Sequence, residues 1–256
     1  MRQDVRLGLI LQRLNESGSV GVTELATELG VSEASVRRDL HRLEQQHLLT
    51  RTHGGAVASG VLYELPMRYR GGQHHEAKRA IAAAAVTLVT PETQSVGLNG
   101  GTTTTEVARA LAGRPGLRVV TNALNIASEL AVRSTIELVV SGGSARPESY
   151  ELVGPLAEQT LAHLNLDLAF IGVDGISPAA GLTTHHEVEA QTNRALARTA
   201  ERVVVVADSS KIGRRGFAKI GDLAMATDLI TDTAAPSDAV ETLRGAGVKV
   251  HLVEPR

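Results

Sequence analysis

Short runs of Val, Ile and Leu recur along the chain from residue 95 onward, and helix-length segments separate them. The runs occupy residues 95–98, 117–120, 136–140, 166–172, 203–207, 228–231 and 248–252. Strands that are apolar throughout are typical of parallel sheets with helices on both faces. An Ala-rich segment at about 75–89 supplies the first helix. The alternation predicts an α/β domain over residues 74–256 with a doubly wound, mostly parallel sheet.

The composition of the 256-residue chain excludes several classes of protein. The absence of Cys rules out disulfides, thiolate metal sites and thiol nucleophiles. Three Tyr, two Phe and no Trp leave few rings for stacking on single-stranded nucleic acid. No apolar run approaches the roughly 18 residues of a membrane-spanning helix, and residues 1–10 carry charges where a signal peptide would be apolar. We therefore expect a cytoplasmic protein with no membrane partner.

The first 44 residues have the spacing of three short helices. Four apolar residues repeat at i, i+3, i+4 and i+7 in a first helix over about 4–17, which a Ser-Gly-Ser cluster ends. Thr23 is expected to cap a second helix, and Gly30 to end it. A third helix over residues 31–44 follows at once. Two short helices joined by a tight turn are the helix-turn-helix arrangement, in which the second helix enters the DNA major groove.

Residues 31–44 carry the candidate DNA-binding face. Val36, Leu40 and Leu43 form an apolar stripe, and three arginines surround the opposite, small-residue face. Charged helix faces are usually only solvated, so this interpretation depends on the neighbouring segments. One such neighbour is a predicted cationic hairpin at 48–57, which would reach the adjacent DNA backbone or minor groove. The expected DNA contacts are Ser32, Ser35, Arg37, Arg38, His41, Arg42, Arg51 and His53.

The net charge limits the strength of this DNA contact. Residues 1–57 contain seven Arg and no Lys against seven acidic residues, and the whole chain has a formal charge of −2. Attraction to DNA must therefore come from local clustering of arginines. Linking two such domains in an oligomer would compensate, because the second contact becomes intramolecular.

Arg6, Ile10 and Leu14, together with SEASVRRDL at 32–40 and RTHGGA at 51–56, form a pattern with fixed spacing. The pattern resembles the winged helix-turn-helix domain of the DeoR family of bacterial transcriptional repressors. That family usually has Thr where this chain has Ser35. The hydroxyl is retained and a methyl group that could touch thymine is lost, so the difference affects base preference.

Residues 58–73 separate this domain from the α/β domain. They contain one Pro and three Gly and show no sustained periodicity. We predict a linker here that contains one extended piece. The predicted organisation is therefore a DNA-binding domain at 1–57, a linker at 58–73 and an α/β domain at 74–256.

Polar loops follow the first five predicted strands, at residues 99–105, 121–122, 141–143, 172–175 and 207–213. In an open parallel sheet such loops border one crevice at the carboxyl ends of the strands. A Gly- and Thr-rich loop that runs into a helix near Thr103 offers backbone amides to an anion. One such loop alone would be a turn with cap residues. Five together, with the charge of Lys211, favour a small phosphorylated ligand.

The segments GGTTT, VVTNALNIASEL, SGGSAR, LVGPLAE, DLAFIGVDGIS, GLTT and VVADSSKIGRRGFAKI resemble the sensor domain of DeoR-type repressors. That domain is related to ribose-phosphate isomerase and in the family binds phosphorylated sugars. The family more often has Asp at position 99, so the sugar could differ here. The resemblance implies ligand contacts from Asn99, Gly101, Thr102, Thr103, Thr121, Asn122, Gly143, Asp174 and Lys211.

Kinship with an isomerase raises the alternative of an enzyme acting on sugar phosphates. Asp174 and Lys211 could supply the base and the cation that aldose–ketose isomerisation requires. The isomerase pattern places another Asp three residues before Asp174, where this chain has Ile171, so we expect binding without turnover and no catalytic residue. The adjacent His185 and His186 point to different sides of a helix. We therefore expect no metal site and no cofactor.

These observations predict a cytoplasmic transcriptional repressor of a carbohydrate-utilisation operon, relieved by a phosphorylated sugar. Its expected partners are double-stranded operator DNA and the sugar phosphate. Symmetric repressors read paired half-sites, so we also expect a homo-oligomer, either a dimer or a tetramer.

Overall fold

The computed structural model describes residues 3–46, 48–58, 67–70 and 74–255. The chain forms two compact units, Met1–Gln73 and His74–Arg256. Within the described ranges, no helix combines the length and the apolar character needed to cross a membrane.

The N-terminal unit is a helix-turn-helix with a small antiparallel sheet. The helices are α1 (Gln3–Ser17), α2 (Val22–Leu29), α3 (Glu33–Gln45) and α4 (Met67–Arg70), and the strands are β1 (Ser19–Gly21), β2 (Thr50–Arg51) and β3 (Gly55–Val57). The sheet order is β1-β3-β2. The hairpin formed by β2 and β3 agrees with the sequence prediction, whereas β1 was not predicted.

The turn between α2 and α3 is fixed by two residues. Gly30 adopts φ 62°, a left-handed conformation that ends α2. The Ser32 hydroxyl caps α3 by accepting a hydrogen bond from the Ser35 amide. Thr23 does not cap α2, contrary to the sequence prediction, because the helix begins one residue earlier at Val22. The Thr23 hydroxyl donates instead to Glu33 Oε1 of α3, at 2.8 Å.

A buried ion pair joins α1 to α3 in addition to the apolar core. Asp39 is only 1% exposed, although it lies in the Arg-Arg-Asp segment of α3. Arg6 Nε donates to Asp39 Oδ2 at 2.5 Å and Arg6 Nη2 donates to Oδ1 at 3.2 Å. Gln3 Nε2 also donates to Oδ1, at 3.1 Å. The carboxylate therefore fixes the first helix against the third.

The predicted linker at 58–73 falls largely on residues 59–66 and 71–73, which lie outside the described residues. Between them, α4 is one helical turn, and the predicted extended piece has no described residues that test it. Tyr69 is buried in the core of the N-terminal unit, and its hydroxyl donates to Gln46 Oε1. A Cβ atom on Gly8 would lie 2.3 Å from the Tyr69 carbonyl oxygen. Only Gly at position 8 lets α4 approach α1 this closely.

The C-terminal unit contains a seven-stranded sheet in which every pairing between described strands is parallel. Its strands are β4 (Ser95–Leu98), β5 (Leu117–Thr121), β6 (Ile136–Val140), β9 (Leu166–Ile171), β12 (Ala200–Val206), β14 (Asp228–Asp232) and β15 (Lys249–Val253). The order is β15-β14-β12-β9-β4-β5-β6. The sequence prediction of these seven strands is confirmed.

Helices cover both faces of this sheet. They are α5 (His75–Thr87), α6 (Thr102–Leu111), α7 (Leu124–Leu130), α8 (Pro155–Leu161), α9 (Glu187–Arg198) and α10 (Ser237–Gly245). Apolar residues of α5, α6 and α7 form one core with Phe170 and Val204. Residues of α8, α9 and α10 form a second core with Ile171 and Val205. Consecutive strand residues thus point into opposite cores, which confirms the doubly wound α/β prediction.

Two small antiparallel sheets were not predicted from the sequence. One is a hairpin of β7 (Ser144–Arg146) and β8 (Glu151–Val153), and the other joins β10 (Gly175–Ser177), β11 (Gly181–Thr184) and β13 (Ala218–Gly221). The hairpin turn contains Tyr150 at φ 61°, a left-handed conformation that is uncommon for a residue with a large side chain.

Candidate functional site

The outer face of α3 has the composition that the sequence predicted. Val36, Leu40 and Leu43 are buried, and the opposite side of the helix is polar and solvent-accessible. Exposed or half-buried positions include all the predicted DNA contacts: Ser32, Ser35, Arg37, Arg38, His41 and Arg42 on or before α3, Arg51 in β2 and His53 in the loop that follows.

Local contacts orient the three arginines of α3. Arg37 Nη2 donates to Glu33 Oε2 at 3.1 Å, one turn earlier. Arg38 donates to the Ala34 carbonyl and to the Ser35 hydroxyl, both at 3.3 Å. Arg42 Nη1 donates to the side chain of Gln3 at 2.8 Å. Arg37 and Arg38 are therefore held along α3 and Arg42 toward α1, and all three residues are exposed.

Glu44 links α3 to the hairpin of β2 and β3. Its Oε1 accepts a hydrogen bond from the Arg51 amide at 3.2 Å, and its Oε2 lies 3.9 Å from Arg51 Nη1. His41 Nδ1 is 3.7 Å from the same Oε2. These contacts place Arg51 beside the polar face of α3. His53 lies beyond them in the exposed hairpin loop.

In the C-terminal unit the strand order reverses between β4 and β9, and a crevice is expected at such a switch point. Asn99 follows β4 and Gly172 follows β9. Asn99 Nδ2 donates to the Gly172 carbonyl at 3.0 Å, and its Oδ1 accepts from the Gly172 amide at 2.7 Å. The Asn99 side chain is buried and both ends of its amide are used. Its described contacts position the two loops.

The loop after Asn99 leads directly into the N-terminus of α6. Gly101 adopts φ 146°, and its carbonyl accepts hydrogen bonds from the hydroxyls of Thr104 and Thr105. Gly101 and Thr102 are half-buried, whereas Thr103 is buried. The first N–H groups of a helix lack partners within the helix, so this turn is suited to an anion.

Thr121 and Asn122 lie at the end of β5 and are fully buried. The Thr121 hydroxyl donates to the Leu98 carbonyl at 2.7 Å and accepts from the Ala123 amide at 3.0 Å. Asn122 Nδ2 donates to the Leu152 carbonyl at 3.3 Å and lies 3.4 Å from Asn193 Oδ1. Among the described residues, Asn122 Oδ1 has no hydrogen-bond partner. Thr121 thus ties two strands together, whereas Asn122 retains an unused acceptor.

The crevice also gathers polar side chains from three loops. Asp174 Oδ2 accepts from the Thr184 hydroxyl at 2.9 Å. Lys211 Nζ and His185 Nε2 each lie 3.8 Å from Asp174 Oδ1. The structure therefore brings together the predicted Asp174 and Lys211, and adds His185. His186 is separate from this group, since its Nδ1 caps α9 by accepting from the Val188 amide.

Gly143, the remaining predicted residue, lies between β6 and β7 with φ 117°. A Cβ atom there would lie 2.8 Å from the Val153 carbonyl oxygen. Only Gly allows the β7–β8 hairpin to fold back this closely.

No group of three or more His, Asp or Glu side chains in the described part of the chain is arranged to hold a metal ion.

Several polar residues of the crevice were missed from the sequence. Glu151, Glu189 and Asn193 are all buried, and Asn193 Oδ1 lies 3.4 Å from Asn122 Nδ2. Glu151 Oε1 accepts from the Gly100 amide at 2.7 Å, and Asn193 Nδ2 lies 3.5 Å from Glu151 Oε2. A signal for part of this set exists: Glu189 and Asn193 are four residues apart, on the face of α9 that also carries buried Leu196.

The buried carboxyl groups influence each other. Burial raises the pKa of Glu151 to about 8, and the nearby charges of Glu189 and Asp174 act in the same direction. Glu189 differs from Glu151 because it has a cationic partner, Arg146, whose Nη1 lies 2.9 Å from Glu189 Oε1. Protonated Glu151 is therefore the favoured form at neutral pH.

A second group of charges acts on Asp208. Burial would raise the pKa of Asp208, but a hydrogen bond from Ser210 and the charges of Lys78 and Lys211 hold it below its ordinary value. Lys78 is buried on α5. The sequence analysis did not single out Lys78, although it lies on the same helix face as the apolar Ile81 and Ala82. A buried apolar face is an unusual position for a lysine.

Both units match known sequence families. A family model described as a DeoR-like helix-turn-helix domain matches residues 6–59, and one described as the DeoR C terminal sensor domain matches residues 73–233. The chain belongs to the DeoR family. This confirms the family resemblance that the sequence motifs indicated.

Other DeoR-like proteins match almost the whole chain. A protein of Escherichia coli O157:H7, provisionally named the aga operon transcriptional repressor, is 38% identical over 95% of this chain and 91% of its own length. The glycerol-3-phosphate regulon repressor of Escherichia coli K12 is 29% identical over 98% of this chain and 100% of its own. Among solved structures, ribose 5-phosphate isomerase A of Methanocaldococcus jannaschii has a TM-score of 0.41 and 21% identity, covering 54% of this chain and 55% of that one.

These DeoR-like relatives are named as regulators and not as enzymes, which confirms the sequence prediction that the chain is not an enzyme. Ile171, which precedes Asp174 by three residues, is fully buried at the end of β9.

Proposed function

We propose that this DeoR-family protein is a transcriptional repressor that binds operator DNA through α3 and is released by a phosphorylated sugar. The observation that carries the DNA-binding half is the exposed face of α3, where Arg37, Arg38 and Arg42 surround Ala34 and Ser35. A helix of this kind can lie in the major groove, with arginines directed to guanine edges and phosphates. A regulator acts where DNA is, so a cytoplasmic location belongs to the proposal.

Binding as an oligomer is part of the proposal. Residues 1–57 contain seven arginines and seven acidic residues, so their formal charges cancel. A single unit therefore has little long-range attraction for DNA. Two units on one assembly would bind paired half-sites with much higher avidity. We therefore propose that a dimer or a tetramer is the form that binds the operator.

The effector half rests on the loops around the switch point. The first turn of α6, at Gly101 and Thr102, offers backbone N–H groups to a phosphate. Lys211 is partly exposed and 3.8 Å from Asp174, so it can turn toward an added anion. One relative is named for the glycerol-3-phosphate regulon. Glycerol 3-phosphate, like a sugar phosphate, is a small phosphorylated polyol. Asp174 would accept hydroxyl protons from such a ligand.

A ligand relieves repression only if it binds the non-repressing arrangement more tightly than the DNA-bound one. To shift the protein from mostly DNA-bound to mostly free, the free energies of ligand binding to the two arrangements must differ by a few kcal/mol. The test is to titrate glucose 6-phosphate, fructose 6-phosphate, ribose 5-phosphate and glycerol 3-phosphate into the protein–operator complex. Release of DNA by at least one supports the proposal. Binding of a sugar phosphate without any change in operator affinity contradicts it.

Two substitutions test the halves separately. Arg38→Ala should weaken operator binding by roughly 1–3 kcal/mol, as expected for an arginine that contacts a base. Arg13→Ala is the matched control, because Arg13 is an exposed arginine of the same unit outside the predicted contacts. Equal affinities of the two variants would show that α3 does not present this face to DNA.

For the effector half, Lys211→Ala should leave operator affinity intact and weaken release by the sugar phosphate. Lys219→Ala is the control, since Lys219 is an exposed lysine that pairs with Asp222 on β13 and the turn after it. If Lys211→Ala loses operator binding while Lys219→Ala keeps it, Lys211 is needed for the DNA-binding form of the protein. That result would contradict a role for Lys211 in binding the ligand alone.

A further inference from the structure

The one-turn helix α4 packs on α1, although it lies beyond the DNA-binding domain that the sequence predicted at 1–57. Met67 and Tyr69 of α4 are buried, and Tyr69 belongs to the apolar core of the N-terminal unit. The Tyr69 carbonyl oxygen lies so close to α1 that a Cβ atom on Gly8 would come within 2.3 Å of it. The backbones of α4 and α1 are therefore in direct contact at Gly8.

The same helix also contacts the end of α3. Gln46 ends α3, and its Oε1 accepts a hydrogen bond from the hydroxyl of Tyr69, 23 residues further along the chain. The Asp39 carboxylate already holds the middle of α3 against α1. Tyr69 adds a contact at the C-terminal end of α3, from which the chain enters the hairpin of β2 and β3. Because α3 carries the candidate DNA-binding face, the position of α4 bears on the orientation of that face.

A helix as short as α4 is not stable by itself. Helices of fewer than about 12 residues are marginal in water, because nucleation fixes several dihedral angles for one hydrogen bond. Packing on α1 and α3 therefore keeps α4 helical, and local opening of so short an element requires less free energy than unfolding of the whole unit. Residues 71–74 separate α4 from α5, which begins at His75, and four residues span at most about 14 Å. So short a connection transmits a displacement of α5 to α4.

We propose that docking of α4 on α1 and α3 sets the affinity of α3 for operator DNA, with Gly8 and Tyr69 as positioning residues. This rests on the proposed function, because that function assigns operator binding to α3. With α4 docked, Tyr69 holds the C-terminal end of α3 and the operator is bound tightly. With α4 undocked, Gln46 loses the Tyr69 hydroxyl, the end of α3 is less restrained, and the affinity falls. Gly8 and Tyr69 are buried, so they act through α3 and not by contacting DNA.

The first test replaces Gly8 by Ala in the full-length protein. Alanine is favoured over glycine inside a helix, so α1 itself is not weakened, whereas the added Cβ displaces the Tyr69 carbonyl and α4 with it. Gly245→Ala is the matched control, because Gly245 lies in α10 and an added Cβ there meets nothing within 4 Å.

Operator affinity is measured by fluorescence anisotropy on a labelled duplex that the unaltered protein selects from a random pool. The affinity of Gly8→Ala should fall about tenfold or more, which corresponds to a docked fraction of about one tenth or less. The affinity of Gly245→Ala should stay within about twofold of the unaltered protein.

Limited digestion with trypsin measures docking independently of DNA. The bond between Arg68 and Tyr69 is a trypsin site and lies within α4. A protease cuts this bond only when the helix opens, so the rate of cleavage reports the undocked population. Without DNA, mass spectrometry should show cleavage after Arg68 about tenfold faster in Gly8→Ala than in the unaltered protein or in Gly245→Ala.

Tyr69→Phe removes the hydroxyl group and keeps the ring in the core, so this variant should fold. Tyr150→Phe is the control, because it makes the same chemical change in the C-terminal unit. Tyr69→Phe should lower operator affinity by about three- to tenfold, and Tyr150→Phe by less than about twofold. Gln46→Ala should cost less affinity in the Tyr69→Phe background than in the unaltered protein, because the hydroxyl acts through Gln46.

The proposal is overturned if folded Gly8→Ala binds the operator within about twofold of the unaltered protein, or if it loses affinity without faster cleavage after Arg68. Circular dichroism shows whether each variant is folded. If Gly8→Ala does not fold, Tyr69→Phe decides, and an unchanged operator affinity of that variant overturns the proposal. In these cases the unaltered protein still binds DNA and the proposed function stands. Failure of the unaltered protein to select any duplex overturns both.

Discussion

The side chain of Asn99 holds the backbone of Gly172 by two hydrogen bonds, one donated and one accepted. The two residues follow β4 and β9, the neighbouring strands between which the chain reverses its direction of travel across the sheet. The loops on either side of them supply the candidate phosphate and hydroxyl contacts. A single buried amide therefore fixes the distance between the two walls of the crevice.

Replacing Asn99 by Ala should lower the free energy of unfolding by about 1–3 kcal/mol, because the N–H and C=O groups of Gly172 would lose their partners. Urea denaturation followed by circular dichroism measures this. Gln159→Ala, at an exposed position of α8, is the control and should change stability by less than about 0.5 kcal/mol. Similar stability of the two variants would mean that water replaces the Asn99 amide at no cost.

Asp39→Asn should destabilise the N-terminal unit, because the Arg6 guanidinium would remain near a neutral partner in a largely buried site. We expect a loss of roughly 1–3 kcal/mol, the cost of removing a charged hydrogen-bond partner. Glu28→Gln is the control, since the Arg13–Glu28 pair is exposed and should contribute less than about 1 kcal/mol. Thermal unfolding that is unchanged in Asp39→Asn would contradict a structural role for the pair.

Glu151 should make stability fall as pH rises. Burial raises its pKa to about 8, above the value of about 4.3 expected in the unfolded chain. The folded protein therefore holds a proton that the unfolded chain has released, and this contribution is complete below about pH 4.3 and lost as pH rises through 8. Urea denaturation at pH 5.5 and pH 8.5 should show a decrease for the unaltered protein and a smaller one for Glu151→Gln. An equal decrease in both would exclude Glu151 as its source.

Asp228 should give the opposite pH dependence, with stability falling as the pH is lowered. Burial alone would raise its pKa, but hydrogen bonds from Arg202, His251 and Thr227 outweigh burial and hold the pKa far below its ordinary value. Its contribution to stability is therefore present above the unfolded pKa of about 3.9 and declines as pH falls below it. Between pH 6 and pH 3, Asp228→Asn should lose less stability than the unaltered protein.

The control for Asp228 is Glu254→Gln, an exposed acid near the end of β15. It should follow the unaltered protein at both pH values. If Asp228→Asn and the unaltered protein lose the same stability on acidification, the carboxylate of Asp228 is not the group that titrates.

The larger elements could be predicted because their signal is continuous along the chain. The seven strands of the parallel sheet contain runs of branched apolar residues, and α3 has an uninterrupted apolar stripe. The strands β7, β8, β10 and β11 have only three or four residues, and all of them except β8 contain Gly, Ser or Thr. Tertiary pairing, and not local preference, makes such segments extended.

The candidate site could be predicted only where a residue follows a strand. Asp174 and Lys211 do so, and the structure places them 3.8 Å apart. Glu151 and Asn193 come from a hairpin and from the middle of a helix, and they meet only because β8 folds back over the end of β5. Contacts between residues 42 positions apart have no local signature in the sequence.

The strand order also determines when the sheet can form. β4 pairs on one side with β5, which follows after 18 residues, and on the other side with β9, which lies beyond two further helices. During synthesis from the N-terminus, β4, β5 and β6 can therefore assemble first, with the apolar edge of β4 open until β9 emerges. A chain that stops before residue 166 would retain that edge as a template for aggregation. Translation of β9 covers that edge of β4, and the other edge of β9 stays open until β12 follows.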